Sequence, residues 1–364
     1  MNKAKIREPL FRTVKRAERS KAEILRLRIM AFILALAAGG LFILCLGFNP
    51  VELYGTIVSG AFRSKMAIQA TVKIMIPLLI TSLGVILAFK MRFWNIGAEG
   101  QIIMGAVFSS YFALFYSNLP HFALLALMFV AGAIGGGLWG AIPAYFKTKF
   151  NTNETLFTLM LNYIALHVIS YLRDGPWKDP GSSGFPKIAR FASNAQIDKV
   201  LGVQFGWIIA LILVVVVFVY MRYTKHGYEI SVVGESQSTA QYAGMNVKKV
   251  VIRTMLISGG ICGLSGVIQS AGSDMTLASS VAGGVGFTAI IVAWLANLNP
   301  LGIFLVSFLF SILEKGSSVM QSTYGLSTYS AAVLQGIILF FILGSEFFIR
   351  YKFALGQRYK GGAK

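Results

Sequence analysis

The heptapeptide Asn95-Ile96-Gly97-Ala98-Glu99-Gly100-Gln101 sets a carboxylate, two amide side chains and two glycines between two long apolar runs, Ile74 to Phe89 and Ile102 to Phe115. Such groups are costly in lipid. Backbone without regular pairing is tolerated at membrane depth only where protein buries it or where it lines a watery path. Asn95, Glu99 and Gln101 are therefore candidate linings of a solute pathway, and the plainer reading is a short hinge between two spans. Asn162 joins them, because an amide about two turns into an apolar stretch needs a helix–helix hydrogen bond or a pore-facing position. A lining of amides and backbone suits hydroxyl-rich solutes. A permanently anionic solute calls for buried arginines, which the apolar stretches almost lack.

The second cluster is Val233-Gly234-Glu235-Ser236-Gln237-Ser238-Thr239-Ala240-Gln241-Tyr242-Ala243-Gly244-Met245. Its pattern predicts a short helix: Ser236 is an N-cap, Ala240, Tyr242 and Ala243 form a compact body, and Gly244 can take the left-handed conformation that ends it. Two turns of weakly charged helix between basic flanks read as a docking peg. An interfacial helix is the alternative, but too few bulky apolar residues line one face.

The elements that must position these clusters are membrane spans. The 364 residues are 56% hydrophobic, with a mean hydropathy of +0.69, outside the range of soluble domains. Apolar stretches at about 29–48, 66–89, 93–116, 122–146, 154–172, 206–222, 250–271, 284–298, 300–318 and 330–349 predict ten spans of an all-α polytopic membrane protein. The pair flanking Asn297-Leu298-Asn299-Pro300 could instead form one broken re-entrant element. The net charge of +19 is not a nucleic-acid signature, because the basic residues gather beside span ends: ten lie within Met1–Arg28, and others follow the last span. That distribution predicts two cytoplasmic termini and allows contact between the amino-terminal arm and anionic lipid. The expected layout is a basic arm (1–28), one transmembrane domain (29–350) and a basic tail (351–364). The domain holds an outside loop at 173–205 and a cytoplasmic loop at 222–249.

No metal site or enzyme chemistry is expected. Cys45 and Cys262 lie in apolar segments, His121, His167 and His226 are scattered, and Glu99, Glu154 and Glu314 lack neighbours with ligand spacing. There is no G-x-x-x-x-G-K-[ST] run to cradle nucleotide phosphates. Asn153 and Glu154 are accounted for as a helix cap and a first-turn acid.

The heptapeptide, the stretch Asn153 to Tyr163, the segment Ala240-Gln241-Tyr242-Ala243-Gly244-Met245, and Gly283-Gly284-Val285-Gly286-Phe287 leading to Asn299-Pro300-Leu301-Gly302 together resemble inner-membrane permeases of ABC importers for nucleosides and simple sugars. The nucleoside branch is nearest, and the likeness covers nearly all the chain after Ile29. It implies a type II-like importer permease working by alternating access in a prokaryotic cytoplasmic membrane. ATP and Mg would sit on a separate ATPase. The further partners implied are a second, different permease and an extracytoplasmic solute-binding protein or lipoprotein.

By resemblance Gly234, Ser236, Ala240, Tyr242, Ala243 and Gly244 form the helix that couples to the ATPase. This chain departs from the pattern at Ser236, commonly asparagine, and Gln241, commonly arginine. Arg63, Lys65, Lys178, Lys187 and Arg190 are candidate contacts for acidic residues of the binding protein. The alternatives are a simple-sugar importer permease, a proton-coupled secondary transporter using Glu99 or Glu154, and a membrane transferase acting on lipid-linked substrates.

Overall fold

In a computed structural model, residues 11–15, 20–182 and 184–355 are described. Half of the basic arm expected at 1–28 and most of the tail expected at 351–364 lie outside them. The helices are α1 (Lys21–Cys45), α2 (Pro50–Phe62), α3 (Lys65–Lys90), α4 (Ala98–Phe115), α5 (His121–Phe150), α6 (Glu154–Asp174), α7 (Gly206–Tyr223), α8 (Lys225–Glu235), α9 (Gln237–Tyr242), α10 (Val247–Ile268), α11 (Val285–Leu295), α12 (Pro300–Tyr324) and α13 (Thr328–Arg350). The described residues also hold four short strands, β1 (Phe11–Lys15), β2 (Lys199–Val200), β3 (Val203–Gln204) and β4 (Tyr351–Leu355), and a 3₁₀ turn at Ser193–Ala195. The chain forms two compact units, Ala61–Lys315 and a second one made of Met1–Gly60 with Gly316–Lys364.

Eight of these helices, α1, α3, α4, α5, α6, α7, α10 and α12, are long and apolar enough to cross a membrane. Their starts follow from local chemistry. The side chains of Ser64, Asn153 and Asn246 accept hydrogen bonds from the N–H groups of Ala67 (3.1 Å), Leu156 (3.2 Å) and Lys249 (3.0 Å). The sequence reading missed α2, whose moderate polarity looks like a loop. Asn49 caps it, accepting from Val51 N at 3.0 Å and donating to Glu52 Oε1 at 3.2 Å, with Pro50 in the first helical position.

In the Ala61–Lys315 unit, α10 packs against α3, α4 and α5. Small residues make this possible: a Cβ on Gly263 would lie 2.3 Å from Gly132 O, and one on Gly136 would lie 2.3 Å from Gly259 O. Backbones that close gain dispersion contact without any hydrophobic drive between helices. On its other side α10 is laced to α3. Ser258 Oγ donates to Gly84 O (2.7 Å), Cys262 Sγ to Thr81 O (3.8 Å) and Ser265 Oγ to Pro77 O (3.2 Å). The two numberings run in opposite directions, so α3 and α10 are antiparallel. Cys262, read from sequence as a small hydrophobe, here also acts as a weak donor.

In the other unit, α1 packs on α13, and β1 pairs antiparallel with β4 from Phe11↔Leu355 to Lys15↔Tyr351.

The stretch 284–298 departs from a plain span. Its helix, α11, has 11 residues, so it rises about 16 Å against a hydrocarbon core of about 30 Å. The missing half is residues 275–284, an irregular segment entered through a π-helical turn, Gln269–Asp274. One end of it lies beneath the 173–205 loop. There Thr276 Oγ1 donates to Ile188 O (3.1 Å), and Arg173 Nη1 donates to Ser279 Oγ (3.0 Å). At the other end Trp294 stacks on Trp94, with centroids 5.7 Å apart, next to the basic pair Lys90 and Arg92. The irregular chain and the half-helix together therefore lead from the 173–205 loop to the Trp94 stack. Left-handed residues Asn297 and Leu298 (φ 52° and 55°) then turn the chain into α12.

Candidate functional site

Irregular backbone at membrane depth must have its N–H groups satisfied. Glu99, in the first turn of α4, does this for the broken crossing: Oε1 accepts from Gly284 N at 2.7 Å and Oε2 from Gly286 N at 2.8 Å. The carboxylate thus lies at the N-termini of two helices, α4 and α11, whose dipoles favour a negative charge there. Gly286 is glycine because the helices touch at this point. A Cβ would lie 2.3 Å from Glu99 N and 2.6 Å from Glu99 Cα, and that backbone has nowhere to go.

The other candidate pathway residues hold the turn before α4. Asn95 Oδ1 accepts from Gly97 N at 2.9 Å, and the Asn95 and Gln101 amides pair at 3.3 Å in both directions. Asn162, from α6, donates to Ile96 O (2.9 Å) and accepts from Gly100 N (2.8 Å). Asn95, Glu99, Gln101 and Asn162 are each at most 6% exposed. The structure brings all four together, yet as the frame that fixes the loop, with their polar groups turned to backbone and to one another. On the broken crossing, Ser280, Gly283 and Phe287 are exposed.

The docking cluster divides in the same way. Ser236 accepts from Thr239 N at 3.2 Å and caps α9, and Gly244 has φ 77° and ends it. Gly234 and Ala240, however, are buried: Gly234 presses on Lys90 O and Ala240 is 0% exposed in a core with Phe93, Val233 and Val250. They fasten the peg to the spans. What α9 and the turn after it leave exposed is Gln237, Ser238, Thr239, Gln241, Ala243, Gly244 and above all Tyr242, which is 93% exposed.

Sequence reasoning did not single out the tie between this loop and α10. Arg253 Nη2 donates to Glu229 Oε2 of α8 at 2.6 Å, and the guanidinium holds the Glu229 carboxyl below its ordinary value. A carboxyl lowered in the folded state contributes stability above its unfolded value, and that contribution is lost as pH falls through the lower folded one. For Glu229→Gln we expect the α8–α9 loop to lose protection in amide hydrogen exchange at pH 7. The parent should reach the same state only on acidification below about 4.5, the ordinary value of this carboxyl.

Arg63, Lys65, Lys178, Lys187 and Arg190 are all exposed, Arg190 also donating to Met275 Sδ at 2.8 Å. Between Lys178 and Lys187 the structure adds a residue the charge pattern could not reveal: Phe185 is 95% exposed. Glu154 is paired with Lys147 at 3.0 Å. No group of three or more metal-ligating side chains occurs among the described residues.

A polytopic helical bundle with a broken crossing pinned by a buried carboxylate, and a short helix pair held at its basic end, defines a membrane transport protein. The chain belongs to the family described as the branched-chain amino acid transport system permease component, whose model matches residues 67–343. It is 32% identical to the glucose ABC transporter permease of Haloferax volcanii over 92% of this chain and 90% of that one. It is 31% identical to a guanosine ABC transporter permease of Bacillus subtilis over 92% and 97%. A second guanosine permease of that organism is 26% identical over 65% and 77%. This protein is a multi-pass membrane permease subunit of the ABC class.

Proposed function

We propose that this chain is one of two unlike permease subunits of an ATP-driven importer of nucleosides. The observation that carries the reading is the broken crossing at Glu99. A half-helix joined to irregular chain at membrane depth is where transporters expose backbone to solute. The solute passes beside Ser280, Gly283 and Phe287. Asn95, Glu99, Gln101 and Asn162 fix that wall instead of gripping the cargo, which suits a subunit that must release it.

The unlike partner is supported by the two distinct guanosine permeases of one organism, to which this chain is unequally similar. ATP and Mg act on a separate cytoplasmic ATPase that receives α9, so the loop at 222–249 and both termini are cytoplasmic. On the other side exposed Phe185, with Lys178, Lys187 and Arg190 in the same loop, and the exposed cations Arg63 and Lys65 meet a solute-binding protein or lipoprotein. A sugar importer is the second reading, favoured by the Haloferax volcanii relative.

The test is uptake by vesicles containing this permease with its partner permease, ATPase and binding protein. Labelled guanosine should accumulate only with ATP inside. Accumulation of glucose without guanosine would select the sugar reading. Uptake by this chain alone, driven by a proton gradient, would overturn both.

A further inference from the structure

A cavity of about 280 Å³ opens at the basic end of the Ala61–Lys315 unit, among the ends of α3, α5, α6, α9 and α10. Three cations converge on it: Arg92, held in a left-handed turn (φ 58°), Lys147 and Lys248. The one acid in the lining, Glu154, is already paired with Lys147. Arg92 and Lys248 have no ion-pair partner among the described residues, so the cavity carries two uncompensated positive charges.

The rest of the lining is mixed: Met91, Phe93 and Val251 are apolar, and Gln237 and Gln241 of α9 are amides. The size lies at the lower edge of small-molecule sites. Two cations beside an apolar wall fit a phosphate attached to a compact organic body.

We propose that this cavity is a phosphate-binding site beside the coupling helix, filled by an anionic phospholipid headgroup or by a soluble phosphate monoester. An occupant bound to Arg92 and Lys248 while touching Gln237 and Gln241 braces α9 against the spans. A monoester would report that imported nucleoside has been phosphorylated, the class of reaction that consumes such a product. The bracing rests on the docking role proposed for α9; the binding does not.

The experiment uses the permease with its partner subunits in nanodiscs, comparing the parent, the double variant Arg92→Gln/Lys248→Gln, and Lys149→Gln, whose lysine lies outside the cavity. In phosphatidylcholine discs, GMP and inorganic phosphate are titrated against thermal unfolding, with chloride at equal ionic strength as the reference. In phosphate-free buffer, phosphatidylglycerol replaces part of the phosphatidylcholine.

The expected result is a rise in unfolding temperature of the parent in one of the two arms, which also names the source. Lys149→Gln should keep that rise. The double variant should lose it or need about tenfold more ligand, the consequence of removing charge-assisted hydrogen bonds. No rise in the parent in either arm overturns the proposal, and that result needs no variant to fold. Equal rises in parent and double variant also overturn it. So does loss of the ATPase from the double variant with no phosphate response in the parent, which would make the cavity a seat for an acidic segment of that subunit.

Discussion

Glu99→Gln should reduce uptake at least tenfold while the permease still reaches the membrane. The carboxylate gives one oxygen to each of two backbone donors, Gly284 N and Gly286 N. An amide keeps one acceptor and turns an NH₂ toward the other donor, so one bond is lost and two donors face each other. The cost of a lost charge-assisted bond plus an unsatisfied buried group is about 2–4 kcal/mol. It falls on a junction with no alternative, because the irregular segment before α11 has few other ways to satisfy its backbone inside the bundle. The packing of α10 on α3, α4 and α5 does not pass through Glu99, so the bundle should survive. Gly286→Ala should reproduce the defect from the other side of the clamp, since its methyl would meet both the backbone and the carboxylate of Glu99. Uptake per assembled transporter, scored beside membrane abundance, checks both. Normal uptake in Glu99→Gln would show that the clamp does not shape the path.

The same junction shows why the sequence was legible in part. Polar residues flanked by apolar runs announced that 95–101 was expensive to bury, and expense of that kind is visible in composition. The partner of Glu99 was not visible, because Gly284 and Gly286 contribute backbone N–H groups, which every residue except proline has. The likeness of Gly283 to Phe287 to a family pattern marked the place but not the bond.

Long spans were equally legible, since twenty apolar residues in a row have few soluble uses. The half-length α11 was legible only at its end: Asn297-Leu298-Asn299-Pro300 marked a break there, but nothing in the sequence showed that irregular chain at 275–284 forms the other half of the crossing. The ion pair between Glu229 and Arg253 joins residues 24 apart across a turn, α9 and a helix start. Neither carries a spacing that would single it out. Within the docking loop, the local pattern correctly gave the cap at Ser236 and the left-handed stop at Gly244. It could not separate buried Ala240 from exposed Tyr242, because that division is set by the packing of α8 and α10 and not by the loop itself.

That division decides which substitution isolates docking. Ala240→Glu would force a carboxylate into the core that holds α9 to Phe93, Val233 and Val250, and loss of the ATPase could then follow from a collapsed loop. Tyr242→Asp changes a side chain that is 93% exposed and supports nothing within the chain. A tyrosine at the centre of an interface is commonly worth 2 kcal/mol or more, about thirtyfold in affinity. We therefore expect Tyr242→Asp to leave the abundance and unfolding temperature of the permease unchanged, while the ATPase recovered with it in mild detergent falls by about that factor. Ala240→Glu should lower both quantities together. Retention of the ATPase by Tyr242→Asp would move the point of coupling away from α9. The Glu229–Arg253 tie would then be part of the frame alone, since it carries force to α10 only if force arrives at the peg.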